Sequence, residues 1–491
     1  MTGKPLHIPA SSSSSINRRS FLSGASAVLL TAAVPRAFSQ SAGTTAPAGS
    51  LPDASSLSNP QDLPSLIRQV FSSPDPTLLQ FATDVYAQCI VGKIRPASAP
   101  LMHPFIVPGG GYYAQWLWDT MFVVDLLSLL PRQQETIRGV FQNYWDFQER
   151  WNAAKPEFMH GMIANFIAPF GGSEYRDGRL WREYPAYSQA PLLAWGMERV
   201  LLRNGDLQML RDGIAALENF HEWYWRERDV YSLGLVGVGA YGGDVQQARY
   251  ETYDHEVDLD GLQLIPHPHR ASGSDNGSWY GDIAIPANTA YLLLSEQSLA
   301  RIAERCGNQT MAARRRARYT KGANAMRKCM WDRSSACFLA VNIPSLTKIK
   351  TPTVGGFMPL VAGVPTPKRA RQMAAALASR SWSTPVTIPT IACTAKQYDP
   401  SGFWRGDVWP APNFQVASGL SAYGLRDAAA RVSDSSVANA LKAGISEHYD
   451  SQTGAPLGVP GLGMSATVLT MMIDGLTSAR FSLRVNAPSR T

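Results

Sequence analysis

Apolar positions recur at helical spacing along most of this chain. Ile137, Val140, Phe141, Tyr144 and Trp145 follow the i, i+3, i+4, i+7, i+8 pattern of an amphipathic helix, and Leu207, Leu210, Ile214 and Leu217 repeat it. Leu78 to Ile94, Ser188 to Arg203, Ala287 to Cys306, Met311 to Trp331, Asn413 to Leu425, Ser435 to His448 and Ser465 to Leu476 read the same way. Gly307 is a suitable C′ residue, and Thr366-Pro367 supplies an N-cap with proline at N1. The pattern predicts eleven or twelve helices, with Phe338 to Ile343 the best strand. Loops at 154–186, 228–282 and 380–410 interrupt them, and loops that long in a compact domain usually carry function. No fixed repeat length is visible, so a ring of helices with its chemistry on the connecting loops fits better than a solenoid.

Composition narrows the picture. At 491 residues the chain holds two or three ordinary domains or one large helical toroid. Thirteen Trp and eighteen Tyr suit a carbohydrate cleft as well as a core. The formal charge of +7 falls by four, to +3, once Lys4, Arg18, Arg19 and Arg36 are removed with residues 1–39, where no acid lies. That leaves no electrostatic case for nucleic acid. Arg314, Arg315, Arg316 and Arg318 read as a solvated helix face. The five cysteines form no C-x-x-C, so neither a zinc site nor a disulfide framework is indicated; nothing requires Cys329 and Cys337 to pair.

Asn17-Arg18-Arg19-Ser20-Phe21-Leu22 opens a mildly apolar stretch that resembles a twin-arginine export signal, with Ala37-Phe38-Ser39 offering small residues for cleavage. About ten apolar residues follow the arginines, against roughly 20 for a membrane span. The reading is a signal over 1–39, a Ser/Ala/Pro/Thr/Gly linker over 40–60, and one domain over 61–485, exported to the periplasm or beyond by the twin-arginine machinery and without a membrane span after processing.

Candidate chemistry concentrates in four stretches. Ala271 to Tyr280 reads A-S-G-S-D-N-G-S-W-Y, a turn that sets Asp275 beside Asn276, Trp279 and Tyr280. The others are Pro108 to Asp119 with Tyr112, Trp116 and Trp118; Phe403 to Pro410 with Trp404, Arg405, Asp407 and Trp409; and Glu447 to Gly454, placed at the end of a helix. Each sets aromatic rings beside a carboxylate or guanidinium. A sugar wants that combination, an apolar plate for its C–H face and bidentate partners for vicinal hydroxyls. The competing reading is structural, with Asp275 a turn cap and Trp404 and Trp409 plugging the ring. Other motifs weigh little. Gly237-Val238-Gly239-Ala240-Tyr241-Gly242 lacks the strand–helix alternation of a dinucleotide site. Glu256, Asp258 and Asp260 begin a calcium-like loop whose twelfth position is His267, and His267-Pro268-His269 lacks a third ligand. No metal or cofactor is expected.

The order P-G-G-x-Y…W-x-W-D, S-G-x-D-N, W-R-G-x-V-W-P, E-x-Y-D-x-x-T-G over about residues 100–477 resembles glycoside hydrolase family 63, especially its mannosylglycerate hydrolase-like branch, and more distantly the trehalases. The resemblance implies an all-α (α/α)6 toroid of the six-hairpin glycosidase type, with long loops forming the cleft, and an inverting mechanism. It assigns Asp275 as general acid and Glu447 as general base. Tyr112, Trp116, Trp118, Asp119, Gln189, Trp404, Arg405 and Trp409 would bind the sugar, and Asn165 is a further candidate. Ala271 stands where the family usually has Glu, Asp407 where it has Pro, Met464 where an aromatic is usual, and Ala455 replaces an acid. The expected activity is hydrolysis of an α-linked glucoside or mannoside. The rivals are trehalase or α-glucosidase activity, a carbohydrate-binding toroid with weakened catalysis, and a polysaccharide lyase.

Overall fold

The computed structural model describes residues 63–155, 157–169, 187–240, 263–266 and 279–486. The chain separates into two units, Met1–Gly43 and Thr44–Thr491, and every described residue lies in the second. The export signal, the linker, the calcium-like run, the His267/His269 pair and the turn carrying Asp275 and Asn276 lie outside the described residues, as do the side chains of Trp279 and Tyr280.

Among the described residues there are twelve α-helices: α1 Leu63–Val70, α2 Pro76–Val85, α3 Leu117–Leu127, α4 Gln134–Ala154, α5 Leu193–Asn204, α6 Leu207–Arg228, α7 Pro286–Arg305, α8 Gln309–Cys329, α9 Pro367–Leu377, α10 Pro410–Ala422, α11 Arg426–Ala443 and α12 Thr467–Ile473. Helix α2 runs on through a π turn, Tyr86–Ile90, and a 3-10 turn, Val91–Lys93.

Contacts close into a ring. Helix α3 packs on α5, α5 on α7, α7 on the 3-10 segment Val354–Leu360, that segment on α10, and α10 on α12, while the turn Gly463–Ala466 entering α12 returns to α3. These are the inner members. Helices α4, α6, α8, α9, α11 and the α2 segment form the outer layer, so the described residues build an (α/α)6 toroid. Sequence sets the layers apart. Every residue of α3 is buried, as a helix apolar on all sides requires. Helix α4 buries Ile137, Val140, Phe141 and Tyr144 on the stripe that its spacing predicts. Thr366 caps α9 by accepting the Arg369 N–H, as expected of Thr-Pro.

Several expectations are corrected. Helix α11 stops at Ala443 because Gly444 adopts φ +86°, and the chain leaves as a strand, Ser446–Tyr449, antiparallel to Pro456–Pro460. Glu447 therefore sits on a strand rather than at a helix end. The expected strand over 338–343 is two short pieces, Cys337–Phe338 and Val341–Asn342. Arg315 is not solvated: its side chain is fully buried and meets Glu222 on α6 and Glu296 on α7, while Arg314 and Arg316 stay outside. All five cysteines are free. The Gly237–Ala240 stretch is a strand paired with Trp279–Ala284. No helix among the described residues is long and apolar enough to cross a membrane.

Candidate active site

One end of the ring gathers three of the four sequence clusters. The loop before α3 folds back on itself, Tyr112 N–H donating to Gly109 O at 3.1 Å, and is tied to the far end of the chain by Gly463 N–H donating to Pro108 O at 2.8 Å. Gln115–Trp116 then pairs with Phe166–Ile167. The Trp116 ring meets Tyr112 edge-on at 5.6 Å and Phe166 at 4.8 Å. Asn165 is placed beside this strand, its carbonyl accepting the Leu117 N–H at 2.8 Å. Gln189 Oε1 accepts the Trp118 N–H at 3.1 Å, satisfying one donor of the α3 N-terminus. The Trp118 ring turns into the core against Phe122. Asp119 follows in the first turn of α3 and is 8% exposed.

Glu447, 5% exposed, enters from the strand Ser446–Tyr449. Its Oε2 accepts the Val459 N–H at 2.9 Å across the hairpin, and the Tyr112 hydroxyl hydrogen-bonds the same carboxylate. The hairpin register shifts between Ser446 and His448. Gly458, at φ +69°, lets the strands close there: a methyl group in its place would lie 2.5 Å from Glu447 Oε2 and 2.8 Å from His448 Cδ2.

Electrostatics mark the pair. Burial, then the charge of Glu447, push the Asp119 carboxyl up to about 7. Burial also raises Glu447, partly offset by the charge of His448, the Val459 N–H and Tyr112, while Asp407 adds to the rise. Both carboxyls of this pair are thus raised by burial, as groups at functional sites often are.

Behind Glu447 stands a column of rings. Trp404 stacks on Trp409 at 4.5 Å and 14°, and Trp409 on His448 at 4.8 Å and 6°, with Phe403 edge-on to Trp409 and His448. Trp404 and Trp409 are both buried, and Arg405 between them is half-buried. The Asp407 side chain is fully buried against His448. The structure thus brings Tyr112, Trp116, Asp119 and Glu447 together, with Trp404 and Trp409 packed on His448 beside them, while Trp118 turns into the core and Gln189 holds its backbone N–H. His448 and Gly458 were not singled out from the sequence. The E-H-Y-D segment signals His448, but only the fold shows which carboxylate it faces.

Such a site on this ring defines a glycoside hydrolase of the (α/α)6 class. Residues 112–466 match the family described as the mannosylglycerate hydrolase MGH1-like glycoside hydrolase domain, and the chain belongs to that family. It is 30% identical to a mannosylglycerate hydrolase of Thermus thermophilus over 74% of this chain and 95% of the relative. It is 24% identical to the mannosylglycerate hydrolase MGH1 of Selaginella moellendorffii over 72% of this chain and 79% of the relative. A crystal structure of a mannosylglycerate hydrolase from Thermus thermophilus in complex with glucose superposes with a TM-score of 0.62 at 21% identity, covering 79% of this chain and 98% of that one.

Proposed function

We propose that this protein is an exported inverting hydrolase of an α-linked mannoside or glucoside with a small aglycone, mannosylglycerate being the first substrate to test. The observation that supports it most is Glu447: a buried carboxylate oriented by the Val459 N–H and Tyr112, beside Asp119. In this reading Asp275 protonates the glycosidic oxygen as the C–O bond to the anomeric carbon breaks. A water on the opposite face bonds to that carbon and gives its proton to Glu447, which releases it to solvent. Asp275 then regains a proton. The water requires a carboxyl separation of ~6.5–9.5 Å, against ~5–5.5 Å for a retaining pair. The raised pKa makes Glu447 a stronger base once ionised, so activity should be lost as pH falls through its pKa. Trp116 and Tyr112 offer the apolar faces, and Asp119 the hydroxyl partner.

A screen of mannosylglycerate, α-mannosides, α-glucosides and trehalose, with proton NMR of the first product, tests the proposal. The expected product is a reducing sugar of inverted anomeric configuration. Trehalose as the best substrate would favour the trehalase reading, retention would exclude Glu447 as the base of a single displacement, and an unsaturated ultraviolet-absorbing product would indicate a lyase. Export rests on Arg18 and Arg19. Replacing both with Lys should leave the precursor in the cytoplasm, and unchanged export would reject the signal.

A further inference from the structure

Asp407 has no part in the chemistry above, yet its carboxyl is wholly buried on a loop bridged to the strand that carries Glu447. Burying a carboxylate is costly unless its oxygens are satisfied. Here they are. Oδ1 accepts from the Thr390 hydroxyl at 2.7 Å, and Oδ2 accepts from Trp409 Nε1 at 2.6 Å. Oδ2 also lies 2.8 Å from His448 Nδ1, off the line of a ring N–H, so the two groups are in close polar contact without a linear hydrogen bond. An apolar residue at this position would offer Trp409 and His448 no acceptor.

His448 is the residue after Glu447, and the loop and the strand are joined by backbone as well. Val408 N–H donates to Tyr449 O at 2.8 Å, and Tyr449 N–H to Val408 O at 2.9 Å. Glu447 and His448 are thus held between Asp407 and Trp409 on one side and Gly458 and Val459 on the other. We propose that Asp407 is a positioning residue: through His448 and Trp409 it fixes the strand that presents Glu447 to the attacking water. This rests on Glu447 being the general base. The electrostatic effects of the pair on Glu447 oppose each other, His448 favouring the ionised form and Asp407 disfavouring it. Placement of the carboxylate, not its charge, is the role assigned.

The rival is a plain structural role, in which Asp407 only satisfies the Trp409 N–H. The two separate in a double-mutant cycle on the full mature chain. Asp407→Asn keeps an acceptor for Trp409 and removes the charge facing His448. Its kcat should fall about 10- to 100-fold, the scale of a small misplacement of a reacting group, with KM within about threefold of the parent. In a Glu447→Gln background the same change should cost less than about twofold, because the group it positions is already gone. His448→Gln should reproduce both results and serves if Asp407→Asn does not fold. An unchanged kcat in both single variants, an equal loss in both backgrounds, or a loss confined to KM overturns the inference while leaving Glu447 as base. Full activity of Glu447→Gln, or no glycoside hydrolysed by the parent, overturns both.

Discussion

Asp119 and Asp125 lie six residues apart on α3, both buried, and the fold gives them opposite fates. Asp119, in the first turn, has burial and the Glu447 charge against it and is pushed up to about 7. Asp125, in the last turn, would be raised by burial as well, but Arg199 and Arg203 outweigh that and hold it below the ordinary carboxylate range. Arg199 lies 2.6 Å from Asp125 and 2.8 Å from Asp474 just beyond α12, and Arg203 bridges the same two acids. The helix dipole argues for the reverse, favouring an anion at the N-terminus and opposing one at the C-terminus. It contributes only ~0.3–1 kcal/mol, and desolvation and direct partners each involve several. A buried carboxylate given two guanidinium groups is a tie between inner helices. One left beside another acid is available for chemistry.

Breaking the chemical end should give the largest effect. Glu447→Gln is expected to lower kcat ~10²–10⁴-fold, the usual contribution of a general base. It should not lower the melting temperature, since burial of the carboxyl outweighs the partners that favour its charged form. Kinetics and thermal unfolding of the same preparation check both statements. Less than about a tenfold loss, well under that range, would leave Glu447 as a mere hairpin residue.

Breaking the structural end should act on stability instead. Asp125→Asn strands two guanidinium groups, of which Asp474 alone then remains as partner, and buried pairs broken in this way cost ~3–5 kcal/mol. Urea unfolding should show this loss, while KM and the kcat of the folded protein stay near the parent values. A variant as stable as the parent would show that the Arg199–Arg203 cluster is solvated in solution and that burial does not separate the two aspartates.

The alternation of layers was legible because it rests on local periodicity: α4 and α6 carry clean stripes, and the Thr366-Pro367 cap needs only neighbouring residues. The carboxylate pair was half legible. W-x-W-D and E-x-Y-D could be picked out, but not that Gly444 ends a helix and sends Glu447 along a strand to Tyr112. Charge partners were the least legible. Arg315 looks like its neighbours in sequence, yet it is fully buried between Glu222 on α6 and Glu296 on α7, while Arg318 reaches Glu222 from a partly exposed position. Nothing near Asp407 in sequence names its partners, since Thr390 and His448 are 17 and 41 positions away. Pairing at such separations is decided by packing, which no window of sequence contains.

The effect smallest at each step of pH is also the one that compares the aspartates on a single scale. From about pH 4 to about pH 7 the unfolded chain has released the Asp119 proton and the folded chain still holds it. Stability must therefore fall as pH rises across that window, by at most ~1.4 kcal/mol per pH unit for one proton. Below the window both states are protonated and there is no penalty; above it both are ionised and the penalty is complete. Asp119→Asn removes this dependence, so its stability relative to the parent should improve steadily with pH inside the window. Glu447→Gln should do the same in part, because the Glu447 charge is the second cause of the shift and burial, the first, remains. For Asp125 the sign reverses. Its lowered pKa stabilises the fold above the ordinary carboxylate range, and that is lost as pH falls through the folded-state value, so the deficit of Asp125→Asn should shrink in acid. Urea unfolding of the four proteins at several pH values across the window reads all of these slopes. A difference between Asp119→Asn and the parent that stays flat with pH would mean that Asp119 ionises like an exposed acid, and the contrast between the two ends of α3 would not hold.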